Sequence, residues 1–526
     1  MEQSQASTAA PHHAPAANKW LVALAVMLAT IMEVLDMTIA NVALDHIRGS
    51  LSAGVDEAAW VMTSYIVGNA IVIPLTGWLS SVFGRKRFFL FCVALFTLSS
   101  VFCGLAPNLQ MLVFFRILQG LSGGVMMPLS QAILMETFPA KEQAMAMALW
   151  GIGMMLGPIL GPILGGWITD NYSWRWIFYI NLPVGALSFL LITVILEDPA
   201  YIKREVKRID WLGLSFLVLG MGCLQILLDK GEREDWFSSG LIIALAILSV
   251  VGLLLFVVQE LRTKEPVVDL RILKNRTFAV GTVFTTVVMF GLYGTFILIP
   301  LYTQLVAGYT PLLAGQVLSI QSLGTFFSIM LAGRLFHRID PRFLVSLGCL
   351  AAGIGTWDMT HFNPEIDFWG IAWPGFFRGM GSGLIFVPLT TLSLGAVPRE
   401  QMGNASGLFN MVRTIGGSIG IALLITFLSR GAQIHQNYLV AHIHPYNPEL
   451  WQRFALVNSG ALPGLAGNGL QGESFLALVY GEVQRQALLM SFVDDFRLIA
   501  WIFFILIPVV FLMRRPQIPG GSVAAH

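Results

Sequence analysis

Charge is scarce in this chain: Asp, Glu, Lys and Arg make up only 12% of its 526 residues. Soluble globular domains carry about 25%, and here 56% of residues are apolar. That combination excludes an ordinary soluble protein and implies a polytopic membrane protein. With 31 basic against 30 acidic residues, global charge points to neither nucleic acid nor acidic partners, so the information lies in how charge is distributed. Cysteine is rare too. Cys92, Cys103, Cys223 and Cys349 each sit inside an apolar run without metal-ligand spacing, which reads as small core residues and no disulfide framework. No G-x-x-x-x-G-K-[ST] phosphate loop, H-E-x-x-H, G-x-S-x-G or paired-cysteine motif occurs, so neither ATP-driven work nor enzyme chemistry is expected. No cofactor or metal is implied; His435, His442 and His444 read as a solvated loop, with a zinc site as the alternative.

What is abundant is long apolar windows. Fourteen are expected, at roughly 20–44, 57–80, 87–106, 109–135, 142–168, 174–196, 210–229, 237–261, 277–303, 311–336, 342–361, 368–394, 401–428 and 492–513. An even count places both termini on one side. Alternate loops on that side carry Lys19, Arg85-Lys86-Arg87, Lys141, Lys203-Arg204, Lys207-Arg208, Arg262, Lys264, Arg271, Lys274, Arg276, Arg334, Arg338, Arg342, Arg399 and Arg514-Arg515. The positive-inside bias makes that side cytoplasmic.

Basic stretches at Lys203–Arg208 and Arg262–Arg276 divide the spans into six, two and six. The expected organisation is a disordered cytoplasmic tail 1–19, not a signal peptide, then a six-helix bundle over 20–196. A linker with two inserted helices follows over 197–265, and a second six-helix bundle over 266–513. That second bundle includes an outer loop 430–490 with short amphipathic helices, and a cytoplasmic tail 514–526 ends the chain. Arg116-Ile-Leu-Gln-Gly120 before Pro128-Leu-Ser130 has a counterpart in Arg378-Gly-Met-Gly381 before Pro388-Leu-Thr390. Internal repeats of this kind imply a substrate path between two halves.

Two features carry the functional reading. The fifth window contains Gly153, Gly157, Pro158, Gly161, Pro162 and Gly165, with glycines at every fourth position falling on nearly one helical face. That leaves a groove for backbone-to-backbone helix packing. Each proline also frees the carbonyl four residues earlier, here of Met154 and Pro158, for a neighbouring helix to satisfy. The second feature is charge within apolar windows, which costs about 2.5–3.5 kcal/mol per residue on insertion scales. Glu33, Asp36, Arg116, Arg378 and Arg413 qualify. Glu33 and Asp36 share a helix face, and a carboxylate withdrawn from water beside a like charge is a usable proton carrier. The alternative is a static Asp36–Arg116 pair. Arg116, always charged, would tune an acid and hold a carbonyl; Arg378 is either its counterpart or structural, and Arg413 either couples or snorkels. Asp229 and Asp358 at window ends read as solvated. Met126, Met127, Met145, Met147, Met154 and Met155 offer an adaptable pocket or plain packing.

These residues are similar to those of the fourteen-span drug:proton antiporters of the major facilitator superfamily, most closely the EmrB type. The marks are Leu35-Asp36-Met-Thr38-Ile-Ala-Asn41-Val-Ala43-Leu44, the Gly153–Gly166 run, and Trp174-Arg-Trp-Ile-Phe-Tyr-Ile-Asn181-Leu-Pro183-Val-Gly185. Weaker marks are Arg116-x-x-Gln-Gly120, Asp229-Lys-Gly and Asp235-Trp-Phe-Ser-Ser239. The resemblance implies an all-α major facilitator fold and proton-coupled export of hydrophobic or amphipathic drugs across the inner membrane. It also implies Asp36 as proton-coupling acid, Arg116 as its partner and Gly157-Pro158 as hinge and seal. An EmrA-like periplasmic adaptor and a TolC-like outer-membrane channel are the implied partners, with a dedicated exporter of one siderophore, fatty acid or peptide as the alternative. The family's gate turn, Gly-x-Leu-x-Asp-x-x-Gly-Arg, is present as Gly77, Leu79, Gly84 and Arg85, with Ser81 in place of the Asp. That departure questions the charge lock at the cytoplasmic gate.

Overall fold

The computed structural model describes residues 18–197, 210–336, 338–443, 448, 452 and 472–512. The expected terminal tails, the basic stretch Lys203–Arg208, His444 and most of 444–471 lie outside the described residues. Among the described residues there is no strand. Thirteen helices are long and apolar enough to cross a membrane: α1 (Lys19–Val42), α2 (Glu57–Phe83), α3 (Arg85–Leu105), α4 (Leu109–Thr137), α5 (Gln143–Asn171), α6 (Trp176–Ile195), α7 (Trp211–Lys230), α8 (Gly240–Arg262), α9 (Arg276–Leu305), α10 (Leu312–Leu335), α11 (Pro341–His361), α13 (Arg399–Val440) and α14 (Ala477–Leu512). The window at 368–394 forms α12 (Phe368–Gly395), a 28-residue helix. At 1.5 Å per residue it is about 42 Å long, but its glycines, Pro374, Pro388 and Arg378 dilute its apolar character.

Side chains cap the helix starts where the sequence supplies them. Asn108 accepts from the Met111 amide, Asn275 from Thr277 and Phe278, and Asp367 from Gly370. These bonds satisfy amides that have no partner within the helix.

Helices α1–α6 share one apolar core, which takes in Leu217, Met221 and Phe256 from the inserted hairpin α7–α8 and extends across the junction to Phe278 of α9, Leu394 of α12 and Leu408 and Phe409 of α13. Helices α9–α14 build a second. The internal repeat recurs in the packing. Gly68 of α2 presses on the Ile117 carbonyl of α4, beside Arg116, and Gly324 of α10 presses on the Phe376 carbonyl of α12, just before Arg378.

The two halves meet on the side that bears the chain termini. Ala144 and Ala148 of α5 pack with Ile329 and Ala332 of α10 and with Leu384 and Val387 of α12. A Cβ on Gly77 would stand 2.5 Å from the Asn404 backbone, so α2 and α13 touch main chain to main chain there.

One expectation needs correction. The region 430–490 does not begin or end as loop with short helices: α13 continues unbroken to Val440, and helical structure continuous with α14 already starts at Gly472. At 42 residues, α13 is about 63 Å long, some 30 Å more than a hydrocarbon core requires. A hydropathy window ends where the chain leaves lipid, whereas helix propensity does not.

Candidate functional site

The glycine face of α5 receives α1, the helix that carries both acids. A Cβ on Gly157 would lie 2.4 Å from Val34 Cγ1, on Gly161 2.2 Å from Thr38 Oγ1, and on Gly165 2.9 Å from Ile39 Cγ1. Gly153 faces Met27 and Ile31. Only glycine permits this approach, and it fixes the depth of α1 against the bundle. Despite Pro158 and Pro162, α5 runs as one helix from Gln143 to Asn171. The polar contact across the groove is Thr38 Oγ1, 3.0 Å from the Gly157 carbonyl, rather than a bond to Met154 or Pro158.

Between Val34 and Thr38 on α1, Asp36 enters a buried polar network. Its Oδ2 accepts from Arg116 Nη1 at 2.7 Å, and its Oδ1 from Gln119 Nε2 at 2.8 Å and Asn181 Nδ2 at 2.6 Å. Arg116 also donates through Nε to the Val61 carbonyl at 3.0 Å and lies 4.3 Å from the Tyr65 ring centroid. Asn181 donates in addition to Ser100 Oγ, 2.9 Å away, which donates to the Phe178 carbonyl. Asp36 and Arg116 are both 0% exposed. In such surroundings one negative and one positive charge balance, and a proton arriving on Asp36 would strip Arg116 of its counter-charge. Five helices therefore converge on one carboxyl.

Glu33 points elsewhere, toward the junction of the halves. Asn69 donates to its Oε1 at 3.0 Å, while Oε2 is buried with no hydrogen-bond partner. Arg413 of α13 is within electrostatic reach of it. Arg413 is 3% exposed, so it does not snorkel. Its Nη2 is 3.3 Å from Met127 Sδ, its guanidinium stands 5.7 Å from the Trp150 ring, and its Nη1 is unpartnered. Trp150 in turn stacks on Phe386 of α12 at 5.7 Å. Arg378 is brought to neither acid: its Nε and Nη1 are buried without partners.

At the gate turn, Gly84 adopts φ 83° and separates α2 from α3. Arg85 forms a buried ion pair with Glu136 of α4. Ser81 donates back to the Trp78 carbonyl at 2.7 Å. Neutral contacts join the halves here: Ser406 Oγ to the Pro128 carbonyl at 2.8 Å and Asn410 Nδ2 to Gln131 Oε1 at 2.5 Å, beside Gly77 and Asn404.

Sequence reasoning passed over Asn69, Gln131, Asn410 and Tyr65. Each amide is a lone polar residue in an apolar window, which is the available signal. Of the expected site residues, Asp36 and Arg116 come together, Glu33 and Arg413 lie within electrostatic reach of each other, and the α5 glycines pack on α1. His435 bonds Asp494 of α14 at 2.8 Å, and among the described residues no cluster suited to a metal occurs.

Comparison with known proteins agrees with this geometry. A sequence model of the Major Facilitator Superfamily matches residues 26–421. The chain is 37% identical over 508 residues to the Multidrug export protein EmrB of Escherichia coli (strain K12), covering 96% of this chain and 98% of that one. It is also 37% identical over 511 residues to the Fatty acid resistance protein FarB of Neisseria gonorrhoeae, with the same coverage. In fold it is similar to the crystal structure of the human organic anion transporter MFSD10 (TETRAN), with TM-score 0.59, 13% identity, and 92% of this chain and 99% of that one covered. The chain belongs to the Major Facilitator Superfamily, in its EmrB-type branch.

Proposed function

We propose that this protein is a proton-coupled antiporter that exports hydrophobic and amphipathic compounds across the inner membrane, with both termini in the cytoplasm. The observation that carries the reading is the Asp36 network. A carboxyl with no exposure, three donors and an obligate cation partner, on a helix seated in a glycine groove, suits a group that trades a proton for a conformational change. The proton gradient supplies the drive, about 2.3 kcal/mol per 100 mV for each charge moved, and no cofactor is required. Arg116 holds Asp36 ionised until the proton arrives, and Gly157-Pro158 forms the close-packed wall against which α1 moves. Glu33 and Arg413, one on each half, are placed to sense whether the halves are together. Arg378 has no coupling partner and serves as a structural or gating residue of the second half.

The relatives' names support drug export, and they add fatty acids to the substrates worth testing. EmrA-like adaptor and TolC-like channel partners follow from the EmrB-type kinship, with the projecting ends of α13 and α14 as the surface available to them. The test is efflux from inverted vesicles energised by a proton gradient. Asp36→Asn should abolish substrate-driven proton movement; an unchanged rate would refute the coupling role. A competition panel of unrelated drugs and long-chain fatty acids separates broad from dedicated export.

A further inference from the structure

The hairpin α7–α8 lies over the seam between the halves, and the end of α7 together with the connecting turn touches both. The close approaches of α2 to α13, Gly77 to Asn404 and Gly407 to the Ile73 and Pro74 carbonyls, belong to the terminus-bearing side. Toward the opposite ends of the same two helices the hairpin bonds to each. On α2, Thr63 hydrogen-bonds Asp229 and the Trp60 ring carries Lys230 at 4.4 Å. On α13, Thr426 Oγ1 accepts from Trp236 Nε1 at 2.9 Å, and Arg430 is 3.7 Å from Asp235. Halfway along, Ser418 Oγ donates to Gln225 Oε1 at 3.2 Å.

The turn that presents Trp236 is built for this reach. Asp235 and Trp236 are both left-handed, at φ 51° and 49°; Asp tolerates that conformation, but a bulky residue such as Trp adopts it only when its surroundings impose it. The Trp236 amide donates to the Gly231 carbonyl at 2.7 Å, and a Cβ on Gly231 would meet the Trp236 ring at 2.8 Å. The two attachments are unequal. Helix α7 packs along α2 more extensively than along α13, and the connecting turn holds α13 through Trp236 and Asp235.

We infer that the inserted hairpin is a strap: it travels with the first half and hooks the second through Trp236–Thr426 and Asp235–Arg430, so the halves reorient only when the hook releases. The inference rests on the alternating exposure that antiport requires. Its role is mechanical, and Asp229, Asp235 and Trp236 are positioning residues outside the Asp36 network.

The test begins with the full chain in which Cys223 is replaced by Ser, the other cysteines being buried. Asp235→Cys with Arg430→Cys, bridged by a short cleavable thiol reagent, should lower efflux at least tenfold and recover on reduction. Efflux at the unbridged rate while bridged would overturn the strap. Separately, Thr426→Val with Asp235→Asn should shift the distance distribution between spin labels on the outer ends of α2 and α13, and an unchanged distribution would also overturn it. The label distances report on the strap even in a protein that moves no protons, so its failure and that of the antiport reading are distinguishable.

Discussion

Replacing Asp36 with asparagine tests the buried network by its energetics as well as by transport. The carboxylate accepts from Arg116, Gln119 and Asn181, and both charges are fully shielded. The amide introduced by Asp36→Asn would keep one acceptor oxygen, but it would leave Arg116 with no counter-charge and turn an NH2 group toward two amide donors. Removing one member of a buried pair destabilises by about 3–5 kcal/mol, whereas removing both charges is often close to neutral. Asp36→Asn and Arg116→Gln should each lower the melting temperature in detergent substantially, and the double variant should melt above either single one. The coupling read from that cycle isolates the pair. Losses that simply add, or an Asp36→Asn protein as stable as the parent, would refute the balance of charges described above. All three variants should be inactive in proton exchange, since each breaks the pairing of an acid at position 36 with Arg116.

Three further outcomes are expected. Gly157→Ala forces a Cβ into Val34 and should destabilise by roughly 1–3 kcal/mol and slow efflux; Gly166→Ala, which meets nothing within 4 Å, is the control in the same run, and equal effects on melting and turnover would contradict the groove. Asn410→Leu leaves Gln131 Oε1 without its donor, a cost of about 1–3 kcal/mol borne where the halves touch, so thiol labelling of Met402→Cys should rise; unaltered labelling would remove this bond from the gate. At the base of the hairpin, partial burial acts to raise the Asp210 carboxyl, but hydrogen bonds from the Gly213 amide, Gln259 and Thr263 outweigh it and hold it below the ordinary carboxylate range. A lowered folded-state value means stabilisation that is full above the unfolded value near 4 and lost as pH falls through the folded one. Asp210→Ala should therefore cost about 1 kcal/mol at neutral pH, with the difference from the parent fading in acid on melting scans; a difference that grows in acid would contradict this.

The sequence revealed most where a residue was expensive in its setting. Asp36 and Arg116 stood out because charge inside an apolar window demands a partner, and the glycine spacing on α5 announced a helix-sized groove. It did not say that α1 fills that groove. Neutral amides were harder to read: Asn410 and Gln131 disturb hydropathy little, and nothing local connects residues 279 positions apart. Asp229 lay at a window end, where acids are ordinarily solvated; it is indeed exposed, yet it grips Thr63. Helix α12 was legible by sequence context despite its diluted hydropathy, while the length of α13 was not, because polar residues such as Gln433, His435 and Gln436 end an apolar window without ending a helix.

The overlong α13 behaves as a lever. Its lower end bears on α2 and α4 through Asn404, Ser406 and Asn410, and the helix as a whole is some 30 Å longer than the hydrocarbon core is thick. Ser491 of α14 stiffens it, donating to the Leu428 carbonyl at 2.7 Å. A rotation of about 10° between the halves, too slight to separate most side chains at the fulcrum, sweeps the tip sideways by several ångströms over that length. A small reorientation at the fulcrum would thereby become a large displacement at the tip.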